Sequence, residues 1–292
     1  MDIQGNFDEK FKSIVDCYEN QFNLGLDIGS SLAVTYEGEI VIDIWAGTRD
    51  KAQTLPWEEN TIVNVFSSTK NATSLSAYVL ADQGKLDFSA PVAKYWPEFA
   101  QKGKENILVS HIMSHSSGLP GWDEPVAGND LYDPDKVATL FETQEPWWEP
   151  GTALGYHAIS IGNLMGEIIK RISGKTVGKF FKDEIADPLD IDFHIGLEDK
   201  HHSRVAEIHQ AVESSPEDLF ELEEGSVMHK VMTNGIITAP DANTAEWRRA
   251  EIPAAGGHGN GRSIAESMAL MANGGVYKEK QIFSEELIKF AL

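Results

Sequence analysis

Apolar residues recur at three- and four-residue spacings over 7–21, where Phe7, Phe11, Ile14, Val15 and Tyr18 share one face. That period predicts an amphipathic helix. The pattern then shortens. Stretches around 26–36 and 40–45 read as strands, and Glu37-Gly38 between them supplies a hairpin turn with a glycine for positive φ. The run Thr-Ile-Val-Asn-Val-Phe at 61–66 is a short, β-rich approach to the segment that begins at Ser67. There the helical period returns, with Ala72, Leu75, Val79 and Leu80 on one face and Gly84 as a stop. Pro91, Pro97, Pro120, Pro134, Pro146 and Pro150 break residues 85–150 into short helices and long loops. A second strong helix is predicted over 158–172, striped by Ile161, Leu164, Met165, Ile168 and Ile172 and closed by Gly174; 176–186 and 263–273 also read as helical. Helix, strands, then a long and mostly helical stretch argue for an α+β chain with a helical domain set into or beside a sheet.

Composition narrows the function rather than the fold. The 292 residues are 41% hydrophobic, enough for a buried core in one large domain or two interleaved ones. Twenty-four Lys+Arg against 46 Asp+Glu leave a formal charge of −22, which repels nucleic acid and anionic membranes. The most apolar run, Ile40–Trp45, is strand-sized and carries Asp43 in its middle, far short of the roughly 18–20 residues of a membrane span. A single cysteine, Cys17, excludes an internal disulfide framework and a Cys-rich zinc site. The first residues have neither the basic nor the apolar part of a signal peptide, so a soluble, cytoplasmic protein is expected.

Ser67-Ser68-Thr69-Lys70 is the sharpest chemical signal: an S-x-x-K where a strand-like run ends and a helix starts. Residues i and i+3 lie on one helical face, so the Lys70 ammonium can approach the Ser67 hydroxyl. A serine at a helix N-terminus also has a free backbone N–H and feels the positive end of the dipole. A weak nucleophile needs a base and a stabiliser for its charge, and this placement offers both. Serine is equally a favoured N-cap, so the motif by itself fits a purely structural role too.

Phe66–Lys70, with the helix ending at Gly84-Lys85-Leu86-Asp87, resembles the serine β-lactamase/penicillin-binding-protein superfamily, closest to class C β-lactamases and the family VIII carboxylesterases. The resemblance continues in order through residues 109–120 (Val-Ser-His-Ile-Met-Ser-His-Ser-Ser-Gly-Leu-Pro), Pro150-Gly151-Thr152, Gly155-Tyr156-His157-Ala158, 192–197 and 257–263. It implies an α/β sandwich plus a helical domain with the active site between them. Residues 1–66 would form the N-terminal part of the sandwich, 67–280 the mostly helical domain, and 281–292 the start of a return. It implies Ser67 as acylated nucleophile, Lys70 as its activating partner and Tyr156 as the proton shuttle. A phenol beside a cationic lysine has its phenolate favoured, which suits that task. His157, Gly257 and His258 are expected at the substrate. β-Lactamases carry Tyr-x-Asn, whose amide helps bind the lactam. This chain has Tyr156-His157-Ala158, like the esterase branch, so a small-molecule carboxylic ester is the expected substrate. β-Lactam or D,D-peptide hydrolysis and an inactive ligand-binding relative are the alternatives. No metal or organic cofactor is called for.

Other signals carry less. His111 and His115 have an i, i+4 spacing but no His-Glu-x-x-His, and His201, His202 and His209 sit among charged residues. No G-x-S-x-G occurs, which disfavours an ordinary α/β-hydrolase. The glycine-rich run 256–261 lacks a Walker lysine and reads as a loop of close backbone approach. Trp147 and Trp148 could line a pocket or pack under a loop, and the acidic run Glu221–Glu224 reads as a solvated face. Relatives of this kind continue past 282–287 into a Lys-Thr-Gly or His-x-Gly strand and further strands, a motif not found downstream of Gly261. A fragment or truncated form, weakly active and self-associating through unpaired edges near Ile40–Trp45, is therefore expected.

Overall fold

The structure is a computed structural model that describes residues 2–209 and 222–291. Within the acidic run, Glu221 lies outside the described residues. The N-terminal sheet is three-stranded and antiparallel, in the order β1 (Gln4–Phe7), β3 (Glu39–Gly47), β2 (Gly29–Tyr36). The hairpin joining β2 to β3 turns through Glu37 and Gly38 at φ 51° and 85°, both left-handed, as a two-residue turn between twisted strands requires. Alternation along β3 sends Ile42, Ile44 and Ala46 to one face, where they meet Val15 and Tyr18 of α1 (Lys12–Asn23) in a small core. Asp43 points to the opposite face and accepts from Arg262 Nε at 2.6 Å, from the helix Gly261–Ala272 that covers that side. The acid in the middle of an apolar strand is thus a tether between sheet and helix.

Two expectations change here. Helix α1 starts at Lys12, not Phe7, because residues 4–7 instead pair with 42–45 as a strand. Phe7 and Phe11 are four residues apart, a spacing compatible with an even-numbered strand step as well as a helical turn. The unpaired edges expected near Ile40–Trp45 lie elsewhere: β3 is central, and β1 and β2 are the edges.

The larger core lies between helices. α2 (Thr69–Asp82) buries Thr69, Ala72, Thr73, Leu75, Ser76, Ala77, Val79 and Leu80, more than the single stripe its period predicts, because it runs through the middle of the bundle. Small residues at Ala72, Thr73, Ser76 and Ala77 let neighbours approach closely. α5 (Ser160–Ser173) packs on it through Ile161, Leu164, Met165, Ile168 and Ile169, and stops at Gly174, whose φ of 72° is the left-handed C-cap. Between them stand α3 (Val109–Met113) and α4 (Pro134–Thr143), each short as the prolines demand. The predicted helix over 176–186 is α6 (Val177–Phe181) followed by a wider turn, Lys182–Ala186. A second small sheet, β4 (Val63–Asn64), β6 (Gly257–Gly259), β5 (His194–Ile195), sits at the N-terminal end of α2 and aims the chain into that helix. Among the described residues no helix is long and apolar enough to cross a membrane.

Candidate active site

After β4 the chain enters α2 through a tight single turn, Phe66–Ser68, which presents Ser67 to solvent. Phe66 adopts a φ of 43°, a left-handed conformation that costs an aromatic residue energy and must be held from outside. Thr69 holds it. Its hydroxyl donates to Phe66 O at 2.5 Å and accepts from Gly257 N at 2.8 Å, while Val65 N donates to Gly257 O at 2.9 Å. A Cβ at Gly257 would stand 2.6 Å from Thr69 Oγ1 and 2.7 Å from Phe193 Cζ, so only glycine allows this approach. Ser67 itself falls in the first turn, where backbone N–H groups have no acceptor within the helix.

Lys70, one helical turn on, points at the serine. Its Nζ lies 3.1 Å from Ser67 Oγ, 2.8 Å from Ala158 O and 3.0 Å from Ala254 O. Burial lowers its pKa from the ordinary lysine value, and no carboxylate faces it to restore the charge. The two carbonyls accept two protons and fix the third tetrahedral direction on Ser67. That direction carries an N–H in the ammonium and a lone pair in the amine, so the same pose serves a proton donor and a base. On the other side of the serine, Tyr156 Oη lies 2.8 Å from Ser67 Oγ. Partial burial pushes the phenol up, but its hydrogen bond with Ser67 and the Lys70 charge outweigh that and leave it below the ordinary tyrosine value.

Tyr156 arrives on a loop, not a helix. That loop is sewn to the segment after α3: Trp147 N donates to Gly118 O at 2.7 Å, Gly151 N to Ser116 O at 2.9 Å and Gly155 N to His115 O at 3.0 Å. Trp148 lies under it, its indole N–H 3.3 Å from Ser116 O and its ring so close to Gly155 that a Cβ there would meet it at 2.5 Å. His157 is fully buried. Its Nδ1–H donates to Gly155 O at 2.6 Å, which leaves Nε2 to accept from the Ser117 hydroxyl at 2.7 Å. Desolvation pulls its pKa down to about 4, so the ring is neutral and both nitrogens are used.

The structure therefore brings Ser67, Lys70 and Tyr156 into one hydrogen-bonded group, and places His157, Gly257 and His258 behind it. His157 and His258 were expected at the substrate, but both are fully buried. His258 sits in β6 opposite Asn64 and His194, with Nδ1 against Gly256 O at 3.0 Å, and burial holds it neutral by lowering its pKa to about 3. Gly257 shapes the nucleophile turn through its backbone. Reading the sequence missed Thr69, whose side chain supports that turn, and Ser117; both are ordinary hydroxyls until the fold supplies their partners. It also missed a largely apolar cavity next to these groups. A cavity of about 180 Å³ opens beside Ser67 and Tyr156, lined by Phe66, Ile159, Val231, Met232, Ile236 and Ile237. Leu154, 78% exposed, stands on the same loop as Tyr156.

Comparison with known proteins bears on this arrangement. The family model described as Beta-lactamase matches residues 25–291. The esterase/β-lactamase LipL of Mycobacterium tuberculosis is 32% identical over 98% of this chain, which spans 68% of that protein. A family VIII carboxylesterase of known crystal structure superimposes with a TM-score of 0.92 and 37% identity, covering 99% of this chain and 76% of the other. A penicillin-binding-protein homologue from Caulobacter crescentus superimposes at 0.88 and 31%, again over 99% of this chain and 76% of the other.

Proposed function

Because the chain belongs to the β-lactamase family, whose esterase members are among its relatives, we propose that it is a serine carboxylesterase working through an acyl-enzyme. The observation that carries the reading is the single hydroxyl, Ser67 Oγ, shared between Lys70 Nζ at 3.1 Å and Tyr156 Oη at 2.8 Å at the mouth of an apolar cavity. Lys70, as the amine, takes the Ser67 proton while Oγ bonds to the ester carbonyl carbon. The oxyanion accepts from the Ser67 N–H. The tetrahedral adduct collapses with loss of the alkoxide, which takes a proton from the Tyr156 hydroxyl; the Lys70 ammonium, a direct hydrogen-bond partner of the phenol, returns a proton to Tyr156. Water then attacks the acyl carbon, giving its proton to the same pair, and the carboxylic acid leaves with Ser67 restored.

The substrate side favours an ester over a lactam. Position 158 offers a methyl group, and its backbone carbonyl is already taken by Lys70. Apart from the Ser67 and Tyr156 hydroxyls the side chains lining the cavity are apolar, which suits an alkyl chain better than a charged peptide or the carboxylate of a β-lactam. Turnover of p-nitrophenyl butyrate and nitrocefin by one preparation tests this. The expected result is a kcat/KM for the ester at least about a hundredfold above that for nitrocefin, the scale of one lost polar recognition group. A higher value for nitrocefin would move the protein to the lactam-hydrolysing branch.

A further inference from the structure

α3 ends in a complete Schellman closure. Ser114 is the C-cap, His115 N donates to Ile112 O at 3.1 Å, and Ser116 N donates to His111 O at 2.8 Å. The residue at the left-handed position of this closure is His115, with a φ of 60°. Glycine or asparagine normally stands there, because an L side chain with a ring pays a steric penalty in this conformation. The helix end gains nothing from histidine.

The loop bearing Tyr156 does gain. His115 O accepts from Gly155 N at 3.0 Å, and His115 Nδ1 accepts from His157 N at 3.1 Å. The residues immediately before and after Tyr156 are thus both bonded to one residue. Between those two bonds the imidazole lies against the tyrosine ring, centroids 5.1 Å apart. Burial and the nearby Lys70 charge keep the imidazole neutral, the form in which Nδ1 can accept.

We propose that His115 is a positioning residue for Tyr156: its carbonyl and Nδ1 grip the backbone on either side of the tyrosine and its ring fixes the phenol at Ser67. It acts through Tyr156 and touches no reacting atom, and the inference rests on the esterase reading. The strained conformation at the helix end is retained because only a side chain at this corner can reach His157 N.

Two substitutions separate this from a merely structural role. His115→Gly relieves the left-handed strain but removes the Nδ1 acceptor and the ring. His115→Asn also suits the left-handed region and places Oδ1 where Nδ1 was, one bond beyond Cγ. The expected result for H115G is a kcat at least about tenfold lower with KM little changed; relief of the left-handed strain offsets part of the cost of leaving His157 N unpaired, so the protein stays fully folded at the assay temperature, and small displacements of a catalytic group cost on that scale or more. H115N is expected to restore most of the lost kcat. Wild-type kcat in H115G, a loss of kcat no larger than the folded fraction lost at the assay temperature, or an H115N as slow as H115G would each overturn the proposal. The rate of Ser67 labelling by a fluorophosphonate is measured alongside. A wild-type protein that labels but cleaves no ester refutes the esterase reading and leaves the labelling rates of the variants to decide on His115; one that does not label refutes both.

Discussion

The two halves of the candidate site are held by different means. Lys70 rides on the first turn of α2, a fourteen-residue helix in the middle of the large core, and Ser67 on the single turn Phe66–Ser68 that leads straight into it, so their separation follows largely from helical geometry. Tyr156 sits in a stretch from 144 to 159 without a regular element, 40% exposed, kept in place by bonds from His115, Ser116, Ser117 and Gly118. One half is positioned by cooperative secondary structure, the other by a few specific side-chain and backbone bonds. A helix in the core opens only with the whole domain, whereas a stitched loop can open by itself. The nucleophile side should therefore fail by chemistry and the tyrosine side by geometry.

The largest effect expected on this contrast is at the nucleophile. Ser67→Ala should abolish ester turnover and fluorophosphonate labelling with no change in Tm, since the side chain is exposed and the helix survives. Lys70→Ala should lower kcat by about two orders of magnitude or more, the usual scale for losing a proton-transfer partner. Steady-state kinetics on purified variants checks both. Residual turnover in Ser67→Ala equal to wild type would remove Ser67 from the mechanism.

A smaller, matched pair tests the difference in scaffolding. Thr69→Val and Ser117→Ala each delete one buried hydroxyl and strand a buried partner, Gly257 N in the first case and His157 Nε2 in the second. Either loss costs about 1–3 kcal/mol of stability. In Thr69→Val α2 still carries Lys70 and the continuous turn Phe66–Ser68 still carries Ser67, with Val65 N to Gly257 O left to brace it, so kcat should fall less than threefold or so. In Ser117→Ala the freed imidazole loosens the loop, and kcat should drop about tenfold for a similar loss of Tm. Equal losses of kcat in the two variants would mean that both loops are equally buttressed.

The same contrast explains what could be read from the chain beforehand. Ser67 and Lys70 are three residues apart, so a helical period places them without any tertiary knowledge. The hairpin at Glu37-Gly38, the stop at Gly174 and the α+β order were legible for the same reason: each depends on neighbours in sequence. Tyr156 could be assigned only by likeness to a family, because its distance from Ser67 is set by contacts 42 and 40 residues away along the chain, from His115 to His157 and from Ser117 to His157. His115 gave the least warning. Its i, i+4 spacing with His111 carried little weight as a metal pair, and the structure separates the two: His111 Nδ1 accepts from Leu108 N within the first turn of α3 while His115 turns away at the helix end. A left-handed φ on a histidine is a tertiary fact with no mark in the sequence. Nothing local in the sequence marks His157 and His258 as buried rather than substrate-facing; only the fold shows that they and their partners are buried.

The pH profile carries the smallest expected effect and bears on the proton rather than the scaffold. Burial lowers the pKa of Lys70, and the Ser67 hydrogen bond and Lys70 charge leave Tyr156 lowered as well. The mechanism needs the pair to have lost one proton, since a Lys70 ammonium facing a neutral phenol has no base to offer Ser67. Activity must then be low on the acid side and rise with pH through the apparent pKa of the coupled pair, which belongs to both residues together. Because both groups shift downward, the midpoint of kcat/KM against pH should fall below the ordinary values of 10.5 for lysine and 10.0 for tyrosine. Tyr156→Phe removes one member and leaves Lys70 with burial as its dominant influence. Loss of the phenol also removes the neighbour whose interaction with Lys70 supports the lysine's charge, so the remaining midpoint should move to lower pH. A profile of kcat/KM for p-nitrophenyl butyrate on wild type and variant measures that shift. A midpoint that stays put would show that the two groups titrate independently, and a midpoint that rises would make Tyr156, not Lys70, the residue that surrenders the proton.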